Sequence, residues 1–393
     1  MFARFVDKDN SPVLLQNLDR LTWARLVSNA CYRFAPPFVA VIARGLDVKV
    51  GELGIAMMVG ELAGLLSPLI GRRVDRSNRL TVMTFGLSAL FLSVVLAAAS
   101  PNLWVFAIAC FVLSSSKATF DTGLVVWVND HVPYERRGQV VGVIETSWAL
   151  GLFVGVSAMG LVTALVNWRA GFLFGAAAVA FTGIRIVTSL PRHEAHPPAT
   201  EHTRTRLPRN GWLVVGAFFT LMCAAQTVGI VFGPWFEDDF GFSSAALVAV
   251  VISMGLVELV GSVGSSRVVD VWGKENSVRR GTALMFVTSV LMIVAQHVPV
   301  VAVPAVVLFF LGFEFGIVCA LPVAANIVPA ASGAGLGAAI GAGTFGRALM
   351  SSIATNLYDA HGPVAPAVIA AVSSVASGVL FTLYRKSVSG NRS

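Results

Sequence analysis

The sequence predicts an all-α membrane protein with twelve transmembrane helices in two pseudo-symmetric six-helix bundles. The first observation is composition: 56% of the 393 residues are hydrophobic, 12% are charged, and the mean hydropathy is +0.77. A soluble domain carries about 25% charged residues, so this composition excludes an ordinary soluble protein. The second observation is the length and spacing of the apolar segments. The third is one polar segment that divides the chain into halves.

Twelve apolar segments approach or exceed the length of about 20 residues that a helix needs to cross a bilayer. The first contains Pro36 and Pro37, which interrupt the helix and predict a kink or a flexible gate. In chain order the predicted spans are 21–43, 51–71, 80–99, 103–128, 139–165, 169–190, 212–235, 244–264, 281–299, 301–327, 333–358 and 363–384.

The polar segment lies between the sixth and seventh spans. Residues 191–210 are basic and contain several prolines, which is typical of a solvated linker. The sequence therefore predicts an N-terminal bundle over 1–190, a cytoplasmic linker over 191–211 and a C-terminal bundle over 212–393.

The placement of basic residues predicts the orientation. Of the 28 Lys and Arg residues, 21 lie in segments on one side of the predicted spans, three lie on the other side, and four lie inside spans. Because Lys and Arg concentrate on the cytoplasmic side of membrane proteins, both termini are expected to be cytoplasmic. The net charge of +7 reflects this topology. Nucleic-acid binding is not expected, because the basic residues are spread over many loops.

Charged residues inside the predicted spans carry the clearest functional signal. A charge at the centre of a lipid-facing helix costs roughly 3 kcal/mol, so nine would cost about 25 kcal/mol, against a net stability of about 5–15 kcal/mol. They are therefore expected to face an internal, partly hydrated cavity, which is the architecture of a transporter. The nine residues are Glu61, Asp121, Glu145, Glu258, Glu314, Arg25, Arg33, Lys117 and Arg347.

The loop after the second span carries a motif that a weaker copy repeats after the eighth span. It reads Gly-Arg-Arg-Val-Asp-Arg-Ser-Asn-Arg over 71–79. This segment resembles the loop 2–3 signature of the major facilitator superfamily, G-x-x-x-D-R/K-x-G-R-R/K. Residues 133–138 also resemble loop 4–5 of its twelve-span drug:proton antiporter branch. The resemblance implies the major facilitator fold. Four positions match the first signature: Gly71, Asp75, Arg76 and Arg79.

In that family this loop belongs to a network that latches the two halves in one state, so the resemblance implies a conformational latch here. Asp75 is expected near the positive end of a helix, where a carboxylate is favoured by about 0.3–1 kcal/mol. Arg79 is expected to pair with Asp130 at the cytoplasmic end of the fourth span, with Arg136 nearby. The alternative is a loop of solvated charges. The predicted latch residues are Gly71, Asp75, Arg76, Arg79, Asp130 and Arg136.

Two pairs of residues share helix faces at mid-span. Lys117 and Asp121 lie one turn apart on the fourth span, and they either handle a proton or substrate or simply neutralise each other. Glu145 and Trp148 share a face of the fifth span. This combination suits an organic ligand with an apolar or aromatic body and a cationic group. The alternative is a packing tryptophan beside a paired carboxylate.

Three further carboxylates lie at mid-span without a basic residue at helical spacing, so their counterions must come from other spans. Arg33 and Arg347 are the expected counterions, and Arg347 is expected to lock a carboxylate more than to hold an anionic substrate. Any of the carboxylates is a potential proton site or a structural group. The proton-coupling candidates are Glu61, Asp121, Glu145, Glu258 and Glu314. The substrate-cavity candidates are Arg33, Lys117, Glu145, Trp148 and Arg347.

The expected function is secondary active transport of a small organic molecule across a bacterial inner membrane by alternating access, with proton-coupled efflux of a drug or metabolite as the first expectation. Val156 stands where the antiporter branch carries a proline, so proton-coupled or facilitative uptake of a nutrient is the alternative. A non-transporting receptor is a remote one. No enzyme activity, cofactor or metal site is expected. The expected partners are the substrate, protons and lipid, and the protein is expected to be a monomer.

Overall fold

The computed structural model describes residues 2–6, 11–66, 69–70, 77–132, 137–190, 207–328 and 332–389. Every regular element in these ranges is a helix, which confirms the predicted all-α class. The helices are α1 Pro12–Arg33, α2 Val39–Gly45, α3 Val50–Leu62, α4 Arg79–Ala99, α5 Leu103–His131, α6 Arg137–Leu150, α7 Ser157–Leu165, α8 Trp168–Val187, α9 Gly211–Phe240, α10 Ser244–Trp272, α11 Lys274–Val294, α12 Pro299–Ala325, α13 Ser332–His361 and α14 Val364–Ser389.

Ten helical segments within the described ranges are long and apolar enough to cross a membrane. They coincide with ten of the twelve predicted spans. The other two predicted spans correspond to α3, which continues into a short 3-10 turn at Ala63–Leu66, and to α13.

Asparagine side chains fix the starts of three spans. Asn78, Asn102 and Asn167 accept hydrogen bonds from the first free backbone N–H groups of α4, α5 and α8. Such caps satisfy donors that have no partner inside the helix, and each stabilises a helix start by about 1 kcal/mol.

The first and fifth predicted spans are interrupted within the described residues. The first changes from α1 into a 3-10 turn at Pro36–Phe38 and resumes as α2, which confirms the break predicted from the two prolines. The fifth contains a π-helical turn at Gly151–Val156 between α6 and α7, and nothing in the sequence reading predicted it. Gly151 allows this turn to lie close to α1, because a Cβ there would be 2.8 Å from the Cβ of Asn29.

The chain divides into two compact units. Unit 1 comprises Met1–Ala35 and Ala63–His202, and unit 2 comprises Pro36–Leu62 and Thr203–Ser393. The break in the first span therefore coincides with the boundary between units. In unit 1, α1 packs against α8 and the π-helical turn, and α4 packs against α5 and α8.

Each unit has its own core. In unit 1 it includes edge-to-face contacts among Phe34, Phe106, Trp168 and Phe172. In unit 2, α9 packs against α13 and α14, α11 packs against α12, and α3 packs along α13.

Candidate functional site

Arg25 is the centre of an ion-pair cluster in unit 1. Its Nη2 lies 2.9 Å from Oε1 of Glu145 on α6, and its Nε lies 3.5 Å from Oδ1 of Asp121 on α5. Its Nη1 donates to the backbone carbonyl of Ile144 at 3.1 Å. One buried guanidinium on α1 thus joins three helices of the unit. Lys117 completes the cluster, because its Nζ donates to Oδ2 of Asp121 one turn away.

The exposure of the cluster is uneven. The side chain of Glu145 is 51% exposed, whereas those of Arg25 and Asp121 are 10% and 21% exposed. A charged group at mid-span is tolerated where it faces water or a partner inside the protein. Glu145 is therefore the member of the cluster that is most accessible from outside the protein.

The aromatic side chains of the cluster contact cations of the protein itself. The Arg33 guanidinium carbon lies 4.5 Å from the ring centre of Trp148, and its Nη1 donates to the Trp148 carbonyl at 3.1 Å. The Lys117 nitrogen lies 5.7 Å from the ring centre of Trp148 and 5.4 Å from that of Tyr32. On the helix face that Glu145 and Trp148 share, the carboxylate of Glu145 thus binds Arg25, and the ring of Trp148 lies near Arg33 and Lys117.

A polar stripe on α1 supplies most of these contacts. Arg25, Asn29 and Arg33 follow one another at intervals of four residues, so they share one face of the helix. The Asn29 amide nitrogen donates to the Ser147 hydroxyl at 3.3 Å. The Asn29 Oδ1 is buried and has no hydrogen-bond partner among the described residues.

Unit 2 repeats one element of this arrangement. On α9, the Gln226 amide donates to the hydroxyl of Ser351 on α13 at 2.8 Å. In each half of the sequence, therefore, an amide on the first span bonds a serine on the fifth span. This correspondence agrees with the internal repeat predicted from the loop motifs.

A second ion pair lies in unit 2. Arg347 on α13 binds Glu61 on α3 through two guanidinium nitrogens. Its Nη2 donates to Oε1 at 2.9 Å and its Nε donates to Oε2 at 3.2 Å. This confirms the prediction that Arg347 locks a carboxylate from another span. The pair lies along a close α3–α13 contact, where a Cβ on Gly54 would lie 2.4 Å from the Ser351 carbonyl oxygen.

Further polar contacts connect the segments near the ends of these helices. Arg44 binds Glu237 at 2.6 Å, and the Tyr358 hydroxyl donates to Asp238 at 2.7 Å. The Gly51 backbone N–H donates to Asp359 at 2.7 Å. With the Glu61–Arg347 pair, the Arg44 and Gly51 contacts attach residues 36–62 to α9 and α13, and the Tyr358–Asp238 bond joins α13 to α9.

Glu258 on α10 and Glu314 on α12 are buried in unit 2, at 0% and 5% exposure. The two helices pack against each other. A Cβ on Gly261, one turn after Glu258, would lie 3.3 Å from the Cβ of Glu314. Both carboxylates thus lie on the same pair of packed helices in unit 2.

The predicted latch is described only in part. Arg79 Nε lies 2.9 Å from Oδ2 of Asp130, so the predicted ion pair is present. Gly71, Asp75, Arg76 and Arg136 lie outside the described residues.

Sequence reasoning missed the central role of Arg25, although it counted Arg25 among the charges within spans. The missed signal is the four-residue spacing of Arg25, Asn29 and Arg33, which places three polar groups on one face of an apolar helix. The Arg44–Glu237 and Tyr358–Asp238 contacts carried no local signal, because their members are far apart in sequence.

Comparisons with known proteins agree with this architecture. The profile of the Major Facilitator Superfamily matches residues 21–355. The chain is 25% identical over 134 residues to the uncharacterized MFS-type transporter YwfA of Bacillus subtilis (strain 168), covering 34% of this chain and 32% of that protein. It is 25% identical over 164 residues to the vacuolar membrane amino acid uptake transporter fnx2 of Schizosaccharomyces pombe, covering 41% and 28%. The chain thus aligns with about a third of the length of these relatives.

Solved structures match over nearly the whole chain. A bacterial homolog of the human lysosomal transporter Spinster, in an inward-facing and unoccupied conformation, aligns with a TM-score of 0.73 at 11% identity, over 95% of this chain and 96% of that one. The human organic anion transporter MFSD10 (TETRAN) aligns with a TM-score of 0.69 at 17% identity, over 95% and 100%. At such identities the likeness shows the fold alone.

These matches do not single out the drug:proton antiporter branch, which stays a prediction from the loop 4–5 segment. The coarser assignment is firm, because the family profile covers most of the chain and the helical fold agrees with it. The chain belongs to the Major Facilitator Superfamily, and it is a multi-pass integral membrane protein.

Proposed function

We propose that this protein is a proton-coupled secondary transporter of a small organic molecule, and that the Arg25 cluster holds both the proton and the substrate in unit 1. The observation that carries the proposal is Glu145, a half-exposed carboxylate at mid-span that is paired with a buried guanidinium. A carboxylate in this position can exchange protons with water, and each protonation changes the net charge of the Arg25–Glu145 pair.

The energetics support coupling. One proton moving down a potential of 100 mV contributes about 2.3 kcal/mol, which can concentrate a solute roughly fiftyfold. The printed names of two similar proteins describe an amino acid uptake transporter and an organic anion transporter, and both are carriers of small organic solutes. We further propose a monomer in a bacterial inner membrane with both termini cytoplasmic. The Arg79–Asp130 pair would serve as part of the conformational latch.

Two coupling modes fit this chemistry. Efflux in exchange for protons is favoured by the resemblance of residues 133–138 to the antiporter branch. Uptake together with protons is favoured by Val156, which stands where the antiporter branch carries a proline. Exchange requires proton and substrate to compete, whereas cotransport requires them to bind together.

Proton flux in liposomes tests the proposal. Wild-type protein should move protons when substrate is added, and Glu145→Gln should abolish this flux while substrate exchange between the two sides continues. Glu52→Gln is the matched control, because Glu52 is an exposed carboxylate at the start of α3. Unchanged proton flux in Glu145→Gln would refute the role of this carboxylate, and the direction of flux relative to substrate distinguishes efflux from uptake.

A further inference from the structure

We propose that a groove between α4 and α8 binds an anionic phospholipid, with one acyl chain in the groove and the headgroup at Arg185. The two helices pack against each other within unit 1, and the groove between them has a volume of about 420 Å³. Sites that hold small organic molecules have volumes of roughly 300–1,000 Å³. The inference goes beyond transport, because none of the residues that line the groove belongs to the Arg25 cluster.

Small residues on α8 leave the groove open. Ala180 and Gly183 lie one turn apart on the helix, and Leu87 of α4, which is 3% exposed, lies at the base of the groove. A Cβ on Gly183 would lie 3.9 Å from the Cβ of Leu87, which is an ordinary contact distance. A longer side chain at this position would therefore extend into the groove without forcing the two helices apart.

The groove lies on a face of the protein that the bilayer covers. Both α4 and α8 are long and apolar enough to cross the membrane. Leu92 and Ile184 line the groove and are each 64% exposed, and Phe85 and Phe181 on the same helices are exposed to a similar extent. A continuous exposed apolar surface of this kind marks a membrane contact. Hydrocarbon is thus the natural occupant of the groove.

The length of the groove matches one leaflet of the bilayer. Its lining residues extend over 84–92 on α4 and over 179–188 on α8, which corresponds to about 12–14 Å at a rise of 1.5 Å per residue. The hydrocarbon core is about 30 Å thick, so the groove covers roughly half of it. A packed helix of a second copy would instead need close contact along most of a span. The dimensions therefore favour an acyl chain over a protein helix.

Polar groups lie at one end of the groove. Thr84 and Thr188 line it at the end where α4 begins and α8 ends, which is the cytoplasmic side in the proposed orientation. Arg185 lies one turn before Thr188. Its side chain is exposed and lies near the ring of Phe181, and it forms no ion pair within the part of the chain that the structure describes.

This arginine supplies the selectivity for charge. A long basic side chain near the end of a span extends toward the membrane interface, where it meets the lipid headgroups. Guanidinium groups bind phosphate through two parallel hydrogen bonds, and basic residues beside a span attract anionic lipids. A phospholipid with a net negative charge therefore binds more tightly here than a neutral one with the same acyl chains.

The test is native mass spectrometry of the purified full-length protein, titrated in detergent with phosphatidylglycerol or with phosphatidylcholine of the same acyl chains. We expect the first phosphatidylglycerol to bind roughly tenfold more tightly than the first phosphatidylcholine, as for one charge-assisted contact. Arg185→Gln should remove this preference. Gly183→Leu should weaken the binding of both lipids at least about tenfold, because the added side chain fills the groove.

Matched variants control for charge and for added bulk. Arg279→Gln removes an exposed arginine near the start of α11, and Gly264→Leu adds a side chain where a Cβ meets nothing within 4 Å, so both should bind lipid as the wild type does. Ala180→Leu fills the same groove and repeats the test if Gly183→Leu does not fold.

Three results would overturn the inference. The first is equal binding of the two lipids by the wild type, or equal effects of Arg185→Gln and Arg279→Gln. The second is lipid binding that a folded groove-filling variant leaves unchanged. The third is a dimer of the wild type that Gly183→Leu abolishes, because a second copy of the chain would then be the occupant of the groove.

Discussion

The Glu61–Arg347 pair gives a quantitative prediction. The two side chains are 10% and 20% exposed and are joined by two hydrogen bonds, so each charge stabilises the other. Removing one partner of a buried pair costs about 3–5 kcal/mol, because the remaining charge is left buried. Both residues also make further contacts, and Arg347 retains some water, so we expect about 3 kcal/mol for Glu61→Gln and for Arg347→Gln.

The double variant should lose much less than the sum of the single variants. With both charges gone, two amides can bond each other, and the double-mutant cycle should show a coupling of about 2–4 kcal/mol. The assay is chemical unfolding of the purified protein in one detergent at one ionic strength. Additive effects, with a coupling below about 0.5 kcal/mol, would refute the claim that this pair fastens α3 to α13.

Two further predictions concern one contact in unit 2 and one contact in unit 1. Gly54→Ala places a Cβ 2.4 Å from the Ser351 carbonyl oxygen, so α3 and α13 must separate. We expect the free energy of unfolding, measured by chemical unfolding, to fall by about 1–3 kcal/mol. Gly264→Ala is the control and should be neutral, because a Cβ there meets nothing within 4 Å. Equal stability of the two variants would contradict the packing. Asp130→Asn removes the charged partner of Arg79, so the transport rate should fall and the free energy of unfolding should fall by about 1–3 kcal/mol. A normal transport rate would contradict a role in the latch.

Local features of the sequence predicted much of the fold. The apolar segments, Pro36, Pro37 and the break they cause, and the orientation of Lys117 toward Asp121 all follow from residues close together in the chain. The π-helical turn at Gly151–Val156 was missed, and so was its close contact with α1 at Asn29. Helical periodicity alone carries no information on such a contact.

The sequence predicted which residues belong to the candidate site, but it did not predict which of them contact each other. The charges within spans were identified, and the partner of Arg347 was expected to be a carboxylate on another span. The sequence could not show that Glu145 binds Arg25 or that Arg33 lies on Trp148, because these partners are more than 100 positions apart. Those two contacts mean that both groups of the predicted ligand face already contact arginines of the protein itself.

The central claim is that the Arg25 cluster binds proton and substrate in a linked way. The most direct measurement is the number of protons exchanged with the medium when a stabilising ligand is added to the solubilised protein, followed with a pH-sensitive dye in weak buffer. The account predicts that ligand binding changes the number of bound protons in the wild type and that this change is lost in Glu145→Gln. No proton exchange on binding, or equal proton exchange in the two proteins, would contradict it.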